Sequence, residues 1–241
     1  MSALSIRDLT ISFDTTEGLV HAVNGISFDL QPGESLGIVG ESGSGKSVTV
    51  LSLMRLVPSP PGHIVAGEVI LDGEDILKYS ESEMEGIRGD KIAMVLQDPM
   101  TALNPVFTIE NQVSEPLAIH EGYKGDSLKA KVLEMLHKVR IAAPEDRMKD
   151  HPHQLSGGMR QRVVGAIGIS CNPLVLIADE PTTSLDATIQ AQYLKLLRDL
   201  QEETGVAIIF ITHDFGIVAK MCDRVAVMYG GKIVEQGDVR Q

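Results

Sequence analysis

The stretch GESGSGKS, from Gly40 to Ser47, mixes glycines and serines around one lysine. Gly40, Gly45, Lys46 and Ser47 have the spacing G-x-x-x-x-G-K-[ST]; Glu41, Ser42, Gly43 and Ser44 lie between, and Val48 follows. Glycines let a backbone curl until its N–H groups and the start of the next helix face phosphate oxygens. Lys46 would supply charge to β and γ phosphates, and Ser47 a hydroxyl ligand for Mg²⁺. The chemistry is nucleoside triphosphate binding, in a phosphate-binding loop.

Two further groups can act on phosphate. Leu174 to Ala178 is an apolar run that ends in Asp179 and Glu180. A carboxylate at the C-terminal end of a buried strand beside the loop strand is placed to hold Mg²⁺ through water, and the next one to polarise an attacking water. LSGGMRQR, from Leu155 to Arg162, is a second glycine-rich turn running into a helix. Ser156, Gly157 and Gly158 offer a hydroxyl and backbone N–H groups at a helix N-terminus, an anion-binding surface. Alone, such a turn is more often a helix cap, and one nucleotide pocket needs only one phosphate loop.

These groups need a scaffold. Leu4 to Phe13 and Val20 to Leu30 alternate polar and apolar residues around DTTEG, an antiparallel hairpin. LGIV (Leu36 to Val39), the loop and Lys46 to Leu56 read as strand, phosphate loop and helix, broken by PSPPGH. EVILDGEDI and KIAMVL (Lys91 to Leu96) are strands, the latter ending at Gln97. Thr108 to Val139 has helical spacing broken by EGYKG, with Val132, Leu133, Leu136 and Val139 as its apolar stripe. A helix over 158 to 171 contains Gly165 and Gly168, poor helix formers that packing must hold. Strand LVLIA, a helix from Thr188 to Glu203, strand VAIIFI, a helix after His213, strand RVAVM and strand KIVEQ complete the chain. Alternating strand and helix predicts an α/β fold with a mainly parallel sheet, an N-terminal antiparallel β subdomain and an inserted helical subdomain. The expected division of the single 1–241 domain is a core of about 1–97 and 173–241 and a helical part of about 98–172.

Composition restricts the partners. The 241 residues carry 33 acidic and 21 basic side chains, a formal net charge of −12, with no dense Lys/Arg stripe. Nucleic-acid affinity rests on neutralising phosphates, so no nucleic-acid partner is expected. The two cysteines, Cys171 and Cys222, form no CxxC or Cys/His cluster, which fits a reducing cytoplasm. No apolar run reaches the roughly 20 residues that span a bilayer, and MSALSIRDLT alternates like a strand instead of a signal peptide. Metal binding at His151 and His153, or at the isolated His120 and His137, lacks further ligands at suitable spacing. The charge alternation from Glu81 to Lys91 reads as solvated surface.

The ordered set of GESGSGKS, Gln97 before a DP turn, LSGGMRQR, Asp179 and Glu180, SLD at Ser184 to Asp186, and ITHD ending at His213 resembles the ATP-binding cassette family. The resemblance implies that the second turn serves another molecule: two cassettes pack head to tail, and Ser156, Gly157 and Gly158 of one close over the γ-phosphate held by the other. It implies that Gln97 contacts Mg²⁺ or water and reports nucleotide state to the helical subdomain, that His213 contacts the γ-phosphate, and that Asp186 supports the facing protomer. Phe13 stands where such cassettes stack an aromatic ring on adenine, with Val20 or Val23 as alternative apolar platforms. Ser184, often alanine in the family, is small enough for the same role.

QDPMTALNPVFTIENQ, RMKDHPHQLSGGMRQR and DEPTTSLDATIQAQ resemble the dipeptide, oligopeptide and nickel importer subfamily. The resemblance implies an ATPase that uses ATP and Mg²⁺, with Glu180 as general base. Its partners would be a second cassette, two membrane permease subunits and, indirectly, an extracytoplasmic solute-binding protein, at the cytoplasmic face of the membrane. Met100, Leu103, Asn104, Pro105 and Phe107 would dock on the permease. The expected cargo is di- or oligopeptides; nickel, another solute, or a cassette acting without a permease stay open. Cassettes of this subfamily usually continue further, so Gln241 is expected to be a cut in a longer chain.

Overall fold

In the computed structural model the alternating N-terminal segments form an antiparallel hairpin, β1 (Leu4–Thr15) with β2 (Gly18–Leu30). The structure describes residues 2–183 and 185–239; Ser184 and Gln241, both singled out above, lie outside them. β3 (Ser35–Val39) follows and is buried along its whole length, as a central strand covered on both faces must be. α1 (Lys46–Leu53) ends short of Leu56. Arg55 adopts φ 51°, its N–H donates to Ser52 O at 3.0 Å, and Leu56 N–H donates to Leu51 O at 2.8 Å. That is a Schellman closure, which satisfies the last carbonyls before the proline-rich segment.

β4 (Gly62–Leu71) pairs antiparallel with β1, and β5 (Glu74–Asp75) with β4, giving the order β2-β1-β4-β5. The segment expected to be merely solvated surface contains a helix, α2 (Glu81–Ile87). Ser80 and Glu83 form a reciprocal capping box at its start, and Met84 and Ile87 are buried beneath it. Arg88 hydrogen-bonds Glu81 and holds that carboxyl below the usual range.

The chain then forms a second compact unit, Gly89–Val206, the first being Met1–Arg88 with Ala207–Gln241. In the second unit β6 (Ile92–Val95) pairs parallel with β7 (Val175–Asp179). Between them come α3 (Pro99–Ala102), α4 (Ile109–His120), α5 (Gly125–Lys138), α6 (Pro144–Arg147) and α7 (Gly157–Ile169). α5 buries Val132, Met135, Leu136 and the following Val139, while Leu133, expected in that stripe, is only half-buried. Gly165 and Gly168 are small because neighbours come close. A Cβ on Gly165 would stand 3.2 Å from Tyr193 Oη, and one on Gly168 3.2 Å from Leu176 Cδ1 and 3.3 Å from Val95 Cγ2. Close packing thus offsets the helix propensity cost of about 1 kcal/mol per glycine. α8 (Ala187–Thr204) closes the unit, its Leu194, Leu196, Leu197 and Leu200 facing inward.

The chain returns to the first unit with β8 (Ala207–Ile211), α9 (Phe215–Met221), β9 (Arg224–Tyr229) and β10 (Lys232–Asp238). β3 lies between β8 and β9, parallel to both, and β10 pairs antiparallel with β9. Both cysteines are buried; burial raises the Cys171 thiol and pushes that of Cys222 up to about 12, so neither is a ready nucleophile.

Candidate functional site

The phosphate-binding loop leaves the end of β3 and enters α1 at Lys46. Its glycines are dictated by neighbours as much as by turn geometry. A Cβ on Gly40 would stand 2.2 Å from the Met228 carbonyl oxygen, and one on Gly45, at φ 98°, 2.4 Å from the Ala22 carbonyl oxygen. Lys46 is 8% exposed, and its ammonium donates to the carbonyls of Gly40 at 2.7 Å and Glu41 at 2.8 Å. The lysine charge is therefore held inside the curl of its own loop. Ser44 Oγ is buried without a hydrogen-bond partner among the described residues, whereas Ser47 is exposed at the first turn of α1. A sealed hydroxyl and a cation enclosed by a glycine curl fit phosphate oxygens.

Two other candidates belong to this unit. Phe13, half-buried on β1, is paired across the sheet with Val20 and Gly62, and its ring edge would come 2.9 Å from a Cβ on Gly62. Of the alternative platforms, Val20 is 51% exposed and Val23 is sealed in the core, so Val23 offers no surface to a base. His213 is exposed in the turn between β8 and α9. Asp214 fixes that turn by accepting from Gly216 N–H at 2.7 Å, while Thr212 Oγ1 accepts from Asp214 N–H at 3.0 Å.

In the second unit, Gln97 follows β6 and Asp179 ends β7. Glu180, next along the chain, has φ 43°, a conformation that costs a non-glycine residue energy and persists where the surroundings fix it. Its carboxylate accepts from Gln97 Nε2 at 3.1 Å and from Thr183 Oγ1 at 3.0 Å. Gln97 and Glu180 are thus brought together, and Thr183 is a contact that the motif reading missed although it lies within the quoted DEPTTSLD. Among the described residues no group of three or more His, Cys, Asp or Glu side chains converges on a metal site. Within this unit the amide oxygen of Gln97 and the carboxylate of Asp179 are hard donors of the kind Mg²⁺ takes, and in the first unit the Ser47 hydroxyl is another.

The second glycine turn is a helix cap. Ser156 Oγ accepts from Met159 N–H at 3.3 Å at the start of α7. A Cβ on Gly157 would meet nothing within 4 Å, whereas one on Gly158 would stand 2.8 Å from Ile189 Cγ2. Asp186 caps α8, its Oδ1 accepting from the N–H groups of Thr188 and Ile189 at 3.0 Å each.

The segment after Gln97 corrects one expectation. Leu103 is 2% exposed, a core residue of its unit and not a docking residue. The exposed apolar groups are Met100, Val106 and Phe107, at 54%, 74% and 51%. Gln112 pins their loop, accepting from Asn104 N–H at 2.8 Å and donating to the carbonyls of Asn104 at 3.0 Å and Phe107 at 3.1 Å. Alternation of apolar residues could not separate Leu103 from Val106, because the loop has no regular period.

A glycine curl between a buried parallel strand and a helix, enclosing a lysine, defines the class: a P-loop NTPase domain of α/β architecture. A model of the ABC transporter family matches residues 23–183. The chain is 52% identical over 236 residues to the oligopeptide transport ATP-binding protein OppD of Bacillus subtilis, covering 98% of this chain and 66% of that protein. It is 51% identical over 234 residues to the dipeptide transport ATP-binding protein DppD of the same organism, covering 97% of this chain and 70% of that one. Among solved structures, an ATP-binding cassette in a dimeric post-hydrolysis state bound to ADP and Pi superposes with a TM-score of 0.85 at 28% identity, covering 99% of each chain. The chain belongs to the ABC transporter family and carries its ATPase domain.

Proposed function

We propose that this chain is the ATP-binding and hydrolysing subunit of a peptide importer, working at the cytoplasmic face of a membrane through permease subunits. The observation that carries the reading is the glycine curl that encloses the Lys46 ammonium. Backbone N–H groups from Gly40 to Val48 and the charge of Lys46 receive the β and γ phosphates, and Phe13 stacks on the adenine. Ser47, Gln97 and Asp179 would hold Mg²⁺, which when bound neutralises phosphate charge. Glu180 orients a water and accepts its proton as the water oxygen bonds to the γ-phosphorus; the bond to the bridging oxygen breaks, and ADP leaves with that electron pair beside inorganic phosphate. His213 contacts the γ-phosphate.

The turn at Ser156, Gly157 and Gly158 completes the site of a second cassette, and Asp186 supports the facing protomer. The dimeric relative bound to ADP and Pi supports this arrangement. Met100, Val106 and Phe107, an apolar surface next to Gln97, dock on the permease, and an extracytoplasmic binding protein delivers the solute. Relatives named for oligopeptide, dipeptide and glutathione transport favour a peptide cargo over nickel. Among the described residues no helix is long and apolar enough to cross a membrane. The test is coexpression with the neighbouring cassette and permease subunits, followed by affinity capture and phosphate-release assay. Capture of the permease with ATPase activity that is lost in Lys46→Ala supports the reading; an assembly whose hydrolysis survives Lys46→Ala rejects it.

A further inference from the structure

Glu180, the base of the proposed mechanism, follows β7 directly and has φ 43° ahead of Pro181. A side chain leaving such a corner does not take the direction that a regular strand would impose, so other contacts must aim its carboxylate. Two donors meet one of its oxygens. Gln97 Nε2, just after β6, lies 3.1 Å from Glu180 Oε2, and Thr183 Oγ1 lies 3.0 Å from the same atom. Thr183 also closes the turn through its backbone, its N–H donating to the Glu180 carbonyl at 3.3 Å.

The two donors hold the carboxylate differently. Gln97 reaches it with a long side chain from 83 residues earlier. Thr183 has a short, β-branched side chain, stiff about its single torsion, and its own backbone is bonded to the residue it grips. Its hydroxyl therefore ties the Glu180 side chain to the turn that carries it. Thr182, the neighbour of the same type, is sealed at 5% exposure, whereas Thr183 is exposed. Substitutions at exposed positions change stability little, so the fold has small need of this hydroxyl. A base has more need of it: the acceptor oxygen must lie within hydrogen-bond reach of the water, and a misplacement of about 1 Å can cost about 100-fold in rate.

We propose that Thr183 is a positioning residue for hydrolysis, its hydroxyl fixing the direction from which the Glu180 carboxylate takes the proton of the attacking water. The inference rests on the reading of Glu180 as base. Thr183 acts through Glu180 and needs no contact with the nucleotide.

Thr183→Val keeps the β-branched shape and the backbone N–H and removes the donor. Its kcat is expected to fall about tenfold, the scale of one hydrogen bond to a charged group, with Tm and the ATP Kd at parent values. Thr183→Ser, which returns the hydroxyl, should recover kcat to within about threefold of the parent. Coupling to the base separates aiming from a merely structural role. In Glu180→Gln, which cannot take the proton, adding Thr183→Val should change the residual single-turnover rate by less than about twofold. A tenfold fall in that background too would mean that Thr183 acts independently of Glu180. Parental or raised kcat in Thr183→Val, a loss that Thr183→Ser does not restore, or a loss accompanied by lower Tm or weaker ATP binding likewise overturns the proposal. The failures are distinguishable: a parent without ATPase activity sinks the proposed function, and hydrolysis by Glu180→Gln at the parent rate sinks the base assignment. An active parent and a slow Glu180→Gln, with Thr183→Val at the parent rate, sink this inference alone.

Discussion

Two glycines of the phosphate loop are expected to respond very differently to alanine. Gly43 has φ 80° with nothing within 4 Å of its would-be Cβ, while Gly45 has φ 98° and its Cβ would stand 2.4 Å from the Ala22 carbonyl oxygen. Gly43→Ala therefore adds only left-handed strain, about 1–2 kcal/mol, offset in part by a less flexible unfolded chain. A net loss of about 1 kcal/mol lowers Tm by roughly 2–4 °C in a chain of this size. Gly45→Ala adds the same strain and an overlap with backbone that cannot rotate away, another 1–3 kcal/mol or so. The total of about 2–5 kcal/mol corresponds to a fall of roughly 10 °C. Because the displaced residue immediately precedes Lys46, ATP binding should be lost along with the stability. Melting curves and nucleotide titration on both variants check this. Equal losses, or a Gly43→Ala variant worse than Gly45→Ala, would refute the argument that close approach to β2 shapes the loop.

Other substitutions separate binding from docking. Lys46→Ala should weaken ATP binding at least about tenfold, the scale of a lost charge-assisted contact, with the fold kept as judged by circular dichroism. Changing Val106 and Phe107 together to glutamate should abolish capture of permease subunits while leaving nucleotide Kd at the parent value. Leu103→Ala should instead cost about 2–5 kcal/mol of stability, read by chemical denaturation, because it empties a sealed position.

Much of this architecture was legible because its signals are local. A short apolar run such as Val175 to Ala178 or Ala207–Ile211, bounded by turn residues, reads as a strand buried on both faces. The glycine spacing of the phosphate loop encodes its curl directly. α2 was hidden because its seven residues carry only Met84 and Ile87 as apolar anchors, and the capping box that starts it lies in a charged stretch. The end of α1 was misplaced because a Schellman closure centred on Arg55 uses no glycine. Gly165 and Gly168 lie in a helix that the sequence expects packing to hold, but the neighbours that press on them, Tyr193, Leu176 and Val95, are not legible in the motif itself. At the site, the residue types were readable, but the positive φ of Glu180 and the local contact with Thr183 depend on the turn's geometry, and the contact with Gln97 on packing 83 residues away in sequence.

The central claim is that the Ser156 turn completes another cassette's nucleotide site while Glu180 serves as base. Glu180→Gln keeps the size of the side chain and removes the proton acceptor. Light scattering of this variant, alone and mixed with its companion cassette, with and without ATP, tests the claim most directly. The account predicts that ATP converts one of these samples to a dimer that hydrolyses very slowly, and that adding Ser156→Arg returns it to monomers that still bind ATP. Persistent monomers in every mixture with ATP, or hydrolysis by Glu180→Gln at the parent rate, would contradict it.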